Sequence, residues 1–339
     1  DYGAAVERGV ADMETAFLGW LRGSDVRPCV GLIAEYDALP TMGHACGHNL
    51  IGTAAVGAVA GLAAVAAHLP GSAVVIGSPA EEGGGGKVFL LERGALAGVD
   101  AILGVHPRGG PRNLIATEPG TGSSLARAIL DVAFHGKAAH AAANPFDGIN
   151  ALDAVVQTYT GISVLRQQLR PEARIHGIIT HGGAVPNVIP DFAAARFYVR
   201  ARSRTYLTEL IQRVRNVAEG AALQTGARLE VTQPVPAYDN AKANATLGRV
   251  FARNMASVGL DVESHDRPSA NSSTDFGNLS QAVPAASAKF SISRERIPNH
   301  SIEMREAARS DLGRQALITI AKAYACLLYT SDAADDLTR

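Results

Sequence analysis

Short apolar runs alternate with longer helical stretches through the first third of the chain. Cys29–Ala34, Ala73–Gly77 and Ala101–Val105 are continuous apolar runs of strand length, and the stretches 50–68 and Lys87–Arg93 between them have helical pattern. Strands that alternate with helices in this way predict a parallel α/β sheet. The middle of the chain has another rhythm. Ala126–Phe134, Arg174–Thr180, Ala193–Ala201 and Ala227–Thr232 have strand pattern, while Asn150–Leu169 and Thr205–Thr225 have helical pattern. The resulting order, β-α-β-β-α-β, is that of a ferredoxin-like α+β unit. After Pro234 and Pro236 the first pattern resumes, with a helix over 243–257, a strand across Ala285–Ile292 and a closing helix over Ser301–Leu327. The pattern therefore predicts a domain of about 123–236 inserted between residues 1–122 and 237–328 of another.

Composition narrows the class. A chain of 339 residues, 47% hydrophobic, can bury two domain cores. Its formal net charge of −1, with both signs interspersed, gives no footprint for nucleic acid or an anionic membrane. Three widely spaced cysteines, Cys29, Cys46 and Cys326, argue against a disulfide framework and for a reducing, cytoplasmic setting. The uncharged stretch Leu50–Ala67 is built of Ala, Gly, Val and Thr, and its Gly57-x-x-x-Gly61 spacing could serve a membrane helix dimer. Without aromatic or basic anchors at its ends, it reads as a tightly packed core helix. Residues 1–22 lack the order of a signal peptide.

The candidate chemistry centres on Gly43-His44-Ala45-Cys46-Gly47-His48. If this segment is extended, Cys46 and His48 project to one side, and thiolate with imidazole suits zinc or a neighbouring transition metal. Asp37, Glu81-Glu82 and His106 each fall at the end of an expected strand, the edge where open α/β sheets bind ligands, and His300 lies in a late polar loop. The bland alternatives are a solvated helix start for Glu81-Glu82 and an N-cap for Asp37. Gly83–Gly86 with Lys87 fails as a phosphate loop, since Glu81 stands where its first glycine is required and Val88 where Ser or Thr is required. Those glycines read as close backbone packing.

Ala34-Glu35-Tyr36-Asp37-Ala38-Leu39-Pro40, Gly43-His44-Ala45-Cys46-Gly47-His48-Asn49, Pro79-Ala80-Glu81-Glu82-Gly83-Gly84, Gly104-Val105-His106-Pro107, Gly136-Lys137-Ala138-Ala139-His140-Ala141 and Asn187-Val188-Ile189-Pro190-Asp191 occur in an order that resembles the M20 metallopeptidases. The similarity is to their amidohydrolase and aminoacylase-like branch, which includes p-aminobenzoyl-glutamate hydrolase and β-alanyl-dipeptidase types, and runs from about residue 8 to about 325. The resemblance implies a zinc-peptidase-like catalytic domain whose inserted ferredoxin-like domain acts as lid and dimerisation element. It implies two divalent metal ions, zinc or else manganese or cobalt, held by Cys46, His48, Glu82, His106 and His300. Glu81 matches the general base, Asp37 the carboxylate that orients a ligand histidine, and His140 the histidine that reaches across a homodimer to the oxyanion. Asn187 and Arg200 match the pair that grips the polar end of a small N-acyl amino acid or dipeptide.

This chain has Glu35-Tyr36-Asp37 where many members have His-x-Asp, and Cys46 where many have a bridging Asp, so its ligand set follows the Cys-x-His branch. His44 is a spare imidazole, read as loop packing or support for a ligand. Ser272-Ser273-Thr274-Asp275-Phe276-Gly277 resembles the loop lining the substrate side of the metals, with helix capping as its plain competitor. The family usually has a longer amino-terminal helical segment, missing here, and Tyr329–Arg339 is expected to be a non-native tail. Two rival readings remain: a thiol hydrolase with Cys46 as nucleophile and His44 or His48 as base, and a catalytically inactive metal-binding or regulatory homologue.

Overall fold

A computed structural model describes residues 3–118, 124–264 and 272–329. The expected tail lies outside these residues, apart from Tyr329 itself. Along the chain run β1 (Ala5–Arg8), β2 (Phe17–Arg22), β3 (Cys29–Glu35), α1 (His48–Ala63), β4 (Ser72–Ser78), α2 (Gly86–Glu92), β5 (Ala101–Arg108) and β6 (Asn113–Ile115). Then come β7 (Ala126–His135), α3 (Ala151–Leu165), β8 (Arg174–His181), β9 (Phe192–Ala201), α4 (Arg204–Thr225) and β10 (Arg228–Thr232). The last are α5 (Ala245–Ser257), β11 (Val262–Ser264), α6 (Phe276–Ala282), β12 (Ala285–Ser291), α7 (Ile302–Ala308) and α8 (Asp311–Tyr329). These elements form two compact units, one of the described residues up to Ser124 together with those from Ala241 onward, the other of Leu125–Asn240.

The larger unit is built on a sheet of order β1-β2-β4-β3-β5-β12-β6-β11. Its centre, β4-β3-β5-β12, is parallel, as the apolar runs predict. The sheet as a whole is mixed, because β1 and β2 pair antiparallel with their neighbours and β6 runs antiparallel to β12 and parallel to β11. The apolar-run reading missed β2 because Gly19 and Arg22 interrupt its apolar sequence. Every residue of β3 and β4 is buried, the mark of strands covered on both faces. Alternate residues of β3 serve two layers: Val30, Leu32 and Ala34 pack with α1, α5 and α8, while Cys29 and Ile33 join Leu90 of α2 and Phe276 and Leu279 of α6.

Helix α1 lies close on this sheet because its inward residues are small; Ala54, Ala55 and Ala58 are at most 1% exposed. Gly52 is required there, since a Cβ would stand 2.8 Å from the carbonyl oxygen of Glu35 at the end of β3. Gly57 of the suspected membrane motif instead packs near Ala321 of α8. Among the described residues no helix is long and apolar enough to cross a membrane. The closing helix is two helices, not one. Ser310 interrupts it and accepts the Gly313 N–H, which starts α8 afresh.

The smaller unit has the element order β7-α3-β8-β9-α4-β10 and an antiparallel sheet of order β10-β7-β9-β8. The helices cover only one face of the sheet. Ala126, Ala128, Leu130, Val132 and Phe134 of β7 pack beneath Val155 and Ile162 of α3 and Leu207, Leu210 and Val214 of α4. Both helices start on side-chain caps, Asn150 accepting the Leu152 and Asp153 N–H groups and Ser203 that of Tyr206.

Candidate metal centre

Five separated segments of the larger unit converge at the carboxyl end of its parallel strands. Asp37 follows β3; Glu81 and Glu82 occupy the turn between β4 and α2; Cys46 lies in the loop before α1 and His48 is the first residue of that helix. The Cys46–His48 segment is therefore not extended. Gly47 turns it in the left-handed region, at φ 78°, and packs so closely on Pro107 that a Cβ would come within 2.5 Å of the ring. His106 is within β5 rather than beyond its end. His300 immediately precedes α7 at φ 60°, held there by donation of its N–H to the Ala45 carbonyl at 2.9 Å. Ala80, next to the glutamate pair, also has φ 60°. Left-handed backbone at non-glycine residues costs energy and is retained where surrounding packing imposes it.

The side chains form three overlapping groups: Cys46 with His48 and His106; Cys46 with Glu82 and His300; and His48 with Glu81 and Glu82. Within each, the potential ligand atoms lie within 4.8 Å of one another. Cys46 Sγ is 3.4 Å from His106 Nε2, and His300 Nε2 is 3.4 Å from a Glu82 oxygen. His48 Nε2, wholly buried, is 3.9 Å from carboxylate oxygens of both Glu81 and Glu82. Asp37 holds this arrangement from behind. Its Oδ1 accepts from His48 Nδ1 at 3.0 Å and its Oδ2 accepts the Glu82 backbone N–H at 3.0 Å, which turns His48 Nε2 toward the carboxylates. The N-cap alternative for Asp37 is not what the structure has.

His48 Nε2, Glu82 Oε1 and Glu35 Oε2 are buried without a hydrogen-bond partner. Buried polar atoms are almost always satisfied, so orphans facing one another at this spacing fit a cation-binding site. The donor set of thiolate, imidazole and carboxylate suits a divalent transition metal. His44 stands apart from the three groups, its Nδ1 buried and unpartnered, its proton affinity lowered by burial and by the charge of His48.

The electrostatics follow from carboxylates crowded in a buried place. Burial opposes a charge on His48, but Asp37, Glu35 and Glu81 outweigh it and raise the imidazole to about 9. Burial also opposes the Asp37 charge; His48 and the Glu82 N–H prevail and hold it at about 2. Burial, then the Glu35 and Asp275 charges, raise Glu81 to about 8. Burial lowers His106 to about 4. The Cys46 thiol is pushed far up by burial and by Glu82 and Glu81. A nucleophilic cysteine needs electropositive surroundings, so these carboxylates count against the thiol-hydrolase reading.

Sequence reasoning missed a neighbouring network. Lys87, fully buried, places Nζ 2.6 Å from Asp275 and 2.8 Å from Glu35. Burial opposes its charge, yet Asp275 and Glu35 raise its proton affinity. Glu35 in turn stands 3.5 Å from His48 Nε2. The available signal was a single lysine between a glycine run and the apolar Val88–Leu91, a place where a charge needs buried partners. Glu35, Cys46, Glu81, Glu82, His106 and His300, with Ser272–Thr274 and Lys289, line a cavity of about 520 Å³ in the larger unit.

Residues 31–323 match the sequence profile of peptidase family M20/M25/M40. The chain belongs to that family. It is thus an amide-bond hydrolase of metallopeptidase type. The chain is 40% identical over 302 residues to Xaa-Arg dipeptidase of Mus musculus, a match covering 87% of this chain and 68% of that protein. It is 35% identical over 255 residues to one of the polypeptides of p-aminobenzoyl-glutamate hydrolase from Escherichia coli, covering 67% of this chain and 50% of the other. A dinuclear metal-binding peptidase of the M20 family from Bacillus subtilis shares the fold, with TM-score 0.70, 22% identity and coverage of 97% of this chain and 89% of that one.

The remaining expected site residues lie in the smaller unit. His140 and Asn187 are neighbours: His140 bridges Val188, and the Ala141 N–H donates to the Asn187 carbonyl at 3.0 Å. Both are exposed. Arg200 is near the far end of β9, paired across the sheet with Arg127. Phe192 and Arg200 are separated by eight residues of strand, or about 27 Å at the usual rise. The sheet thus does not bring Asn187 and Arg200 together within one copy.

Proposed function

We propose that this protein hydrolyses the amide bond of small N-acyl amino acids or dipeptides at a two-metal centre, with Glu81 as general base. The observation that carries the reading is the set of overlapping ligand groups whose buried His48 Nε2 and Glu82 Oε1 have no partner. Cys46, His48, Glu82, His106 and His300 would hold the two ions. When bound, divalent ions of the zinc, manganese or cobalt kind supply Lewis acidity toward the scissile carbonyl and toward water. Glu81, with a proton affinity raised by burial and by Glu35 and Asp275, takes a proton from the attacking water and hands it to the leaving amine. Asp37 keeps the His48 ring in place. A reducing, cytoplasmic setting suits Cys46, which is a free thiol alongside free Cys29 and Cys326. The inactive-homologue alternative is not favoured by the membership in a family of hydrolases.

The active species in this reading is a homodimer through the smaller unit. Strand β8 is an edge of that sheet, with Ile178 64% and Ile179 44% exposed, and an open edge is a template for a second copy. In this reading His140 reaches across to the partner's substrate, and Asn187 and Arg200 grip the polar end of the substrate, the guanidinium matching its carboxylate in bidentate fashion.

The test is metal content by mass spectrometry on purified protein, with hydrolysis of a panel of N-acyl amino acids and dipeptides before and after chelation. About two ions per chain and turnover lost on chelation and restored by metal are expected. Glu81→Gln should retain the ions and lower kcat about 10²–10⁴-fold. Folded protein that stays inert after metal addition would refute the reading. Mixing His140→Ala with Glu81→Ala chains should restore activity; none, despite subunit exchange, would exclude the dimer.

A further inference from the structure

The cavity beside the metal centre contains a cation for which that chemistry has no use. Lys289 of β12 is the direct cross-strand partner of His106 in the parallel β5–β12 pair. Paired residues in adjacent strands, about 4.8 Å apart, project from the same sheet face. The neighbours of Lys289 and His106 on that face, Ser287 and Gly104, also line the cavity, and a Cβ on Gly104 would meet Phe276 and Ser287 there. Lys289 therefore shares the cavity wall with a residue assigned to metal.

Lys87 of this unit is fully buried and Lys289 is half-buried, and the two differ in their partners. Lys87 is matched by two carboxylates at hydrogen-bond distance. Lys289 has an ion pair with no described residue. Across the sheet it faces His106 on one side and Leu114 on the other, and along its own strand Ser287 and Ser291 share its face. The positive charge of Arg108, on the neighbouring strand β5, adds to that of Lys289 rather than offsetting it. An ammonium partly withdrawn from water, with no counter-charge among the described residues, is suited to an anionic ligand in a binding cavity.

We propose that Lys289 is a specificity-determining residue that selects substrates carrying a carboxylate near the scissile amide, beyond the terminal carboxylate assigned to Arg200. Acidic dipeptides and amides of dicarboxylic amino acids are the substrate class. This rests on the hydrolase reading above, and the carboxylate belongs either to the acyl side or to the leaving amino acid. Glutamyl or aspartyl groups have the required chemistry on either side. The cationic side chain of an Xaa-Arg or Xaa-Lys substrate would be repelled if placed at Lys289.

The experiment uses metal-loaded full-length protein and two isosteric pairs, Glu-Ala against Gln-Ala and Ala-Glu against Ala-Gln. In one pair the acid should exceed the amide in kcat/KM by about tenfold or more, the scale of a charge-assisted hydrogen bond. The pair that responds identifies the side of the bond that Lys289 faces. Lys289→Met should bring that ratio close to one, and Lys289→Glu should invert it. A structural role would change the melting temperature of the free variants and leave the ratios alone. No acid preference in either pair, or a preference that survives Lys289→Met, overturns the proposal while leaving the hydrolase reading intact. A separate probe is glutarate: it should raise the melting temperature of the native chain and not that of Lys289→Met. If no peptide is cleaved but this Lys289-dependent shift is present, the hydrolase reading fails and the anion site stands; equal shifts in both proteins overturn the site.

Discussion

In the larger unit β3 and β4 are buried along their whole length, whereas in the smaller unit buried positions alternate with more exposed ones along all of β9 and the second half of β7. The first sheet is covered by helices on both faces, so most of its chemistry is displaced to loops beyond the strands. Asp37, Cys46 and the Glu81-Glu82 pair all arrive that way, with His106 delivered by the last part of a strand. The second sheet leaves a face uncovered by its helices, and charged side chains stand in rows on it, such as Arg127 opposite Arg200 and Asp131 opposite Arg196. Double coverage makes a buried, rigid place for a few metal ligands. Single coverage makes a surface that can meet another chain or the flexible end of a substrate.

Truncation in each sheet should separate the two cases most widely. Leu32→Ala, at a position with no exposure between two layers, should destabilise the protein by about 2–5 kcal/mol. Ile178→Thr, on the exposed edge strand β8, should change stability by no more than about 0.5 kcal/mol while weakening self-association. Denaturant midpoints and sedimentation would read both, and equal losses of stability would break the comparison.

A smaller effect is expected from Asp37→Asn. This change leaves the strands alone and loosens the ring of His48, so metal affinity should fall about 10–100-fold with little change in the melting temperature of metal-free protein. Competition with a chromophoric chelator measures it, and unaltered affinity would mean that helix packing alone orients His48.

The smallest effect concerns the rim of the larger sheet. Burial works against the charge of Asp100, but Arg27 and the Cys29 N–H, donating at 2.7 Å, hold its carboxyl below the ordinary range. A depressed folded-state pKa stabilises above the unfolded value, near 3.9, and that contribution is lost as pH falls through the folded value. The melting-temperature difference between the native chain and Asp100→Asn should therefore be positive at neutral pH and shrink below about pH 4. A difference independent of pH would show that the ion pair is not responsible.

Much of this organisation was legible in one dimension. Apolar runs of strand length, separated by helical stretches, marked the central strands because burial on both faces leaves no room for polar residues. Metal-ligand chemistry was legible because Cys, His and paired Glu at strand ends are few and chemically distinctive. Antiparallel β2 and the short strands β1, β6 and β11 were not legible, since a strand of three or four residues, or one broken by Gly and Arg, carries too little periodicity. The break at Ser310 was hidden by helical pattern on both sides.

Residue types along this chain determined which side chains can bind metal, which segments must be buried and where the pattern changes from one unit to the next. Only tertiary structure decided that Gly47 folds Cys46 and His48 around Pro107, that Asp37 stands behind His48, and that Lys87 is neutralised by Asp275 from 188 positions away. It alone placed Lys289 beside His106 with no ion pair to a carboxylate among the described residues. The reason is physical: solvation preferences are local properties of a residue, whereas a charge buried away from water is stabilised or left wanting by whichever groups the folded chain brings within a few ångströms.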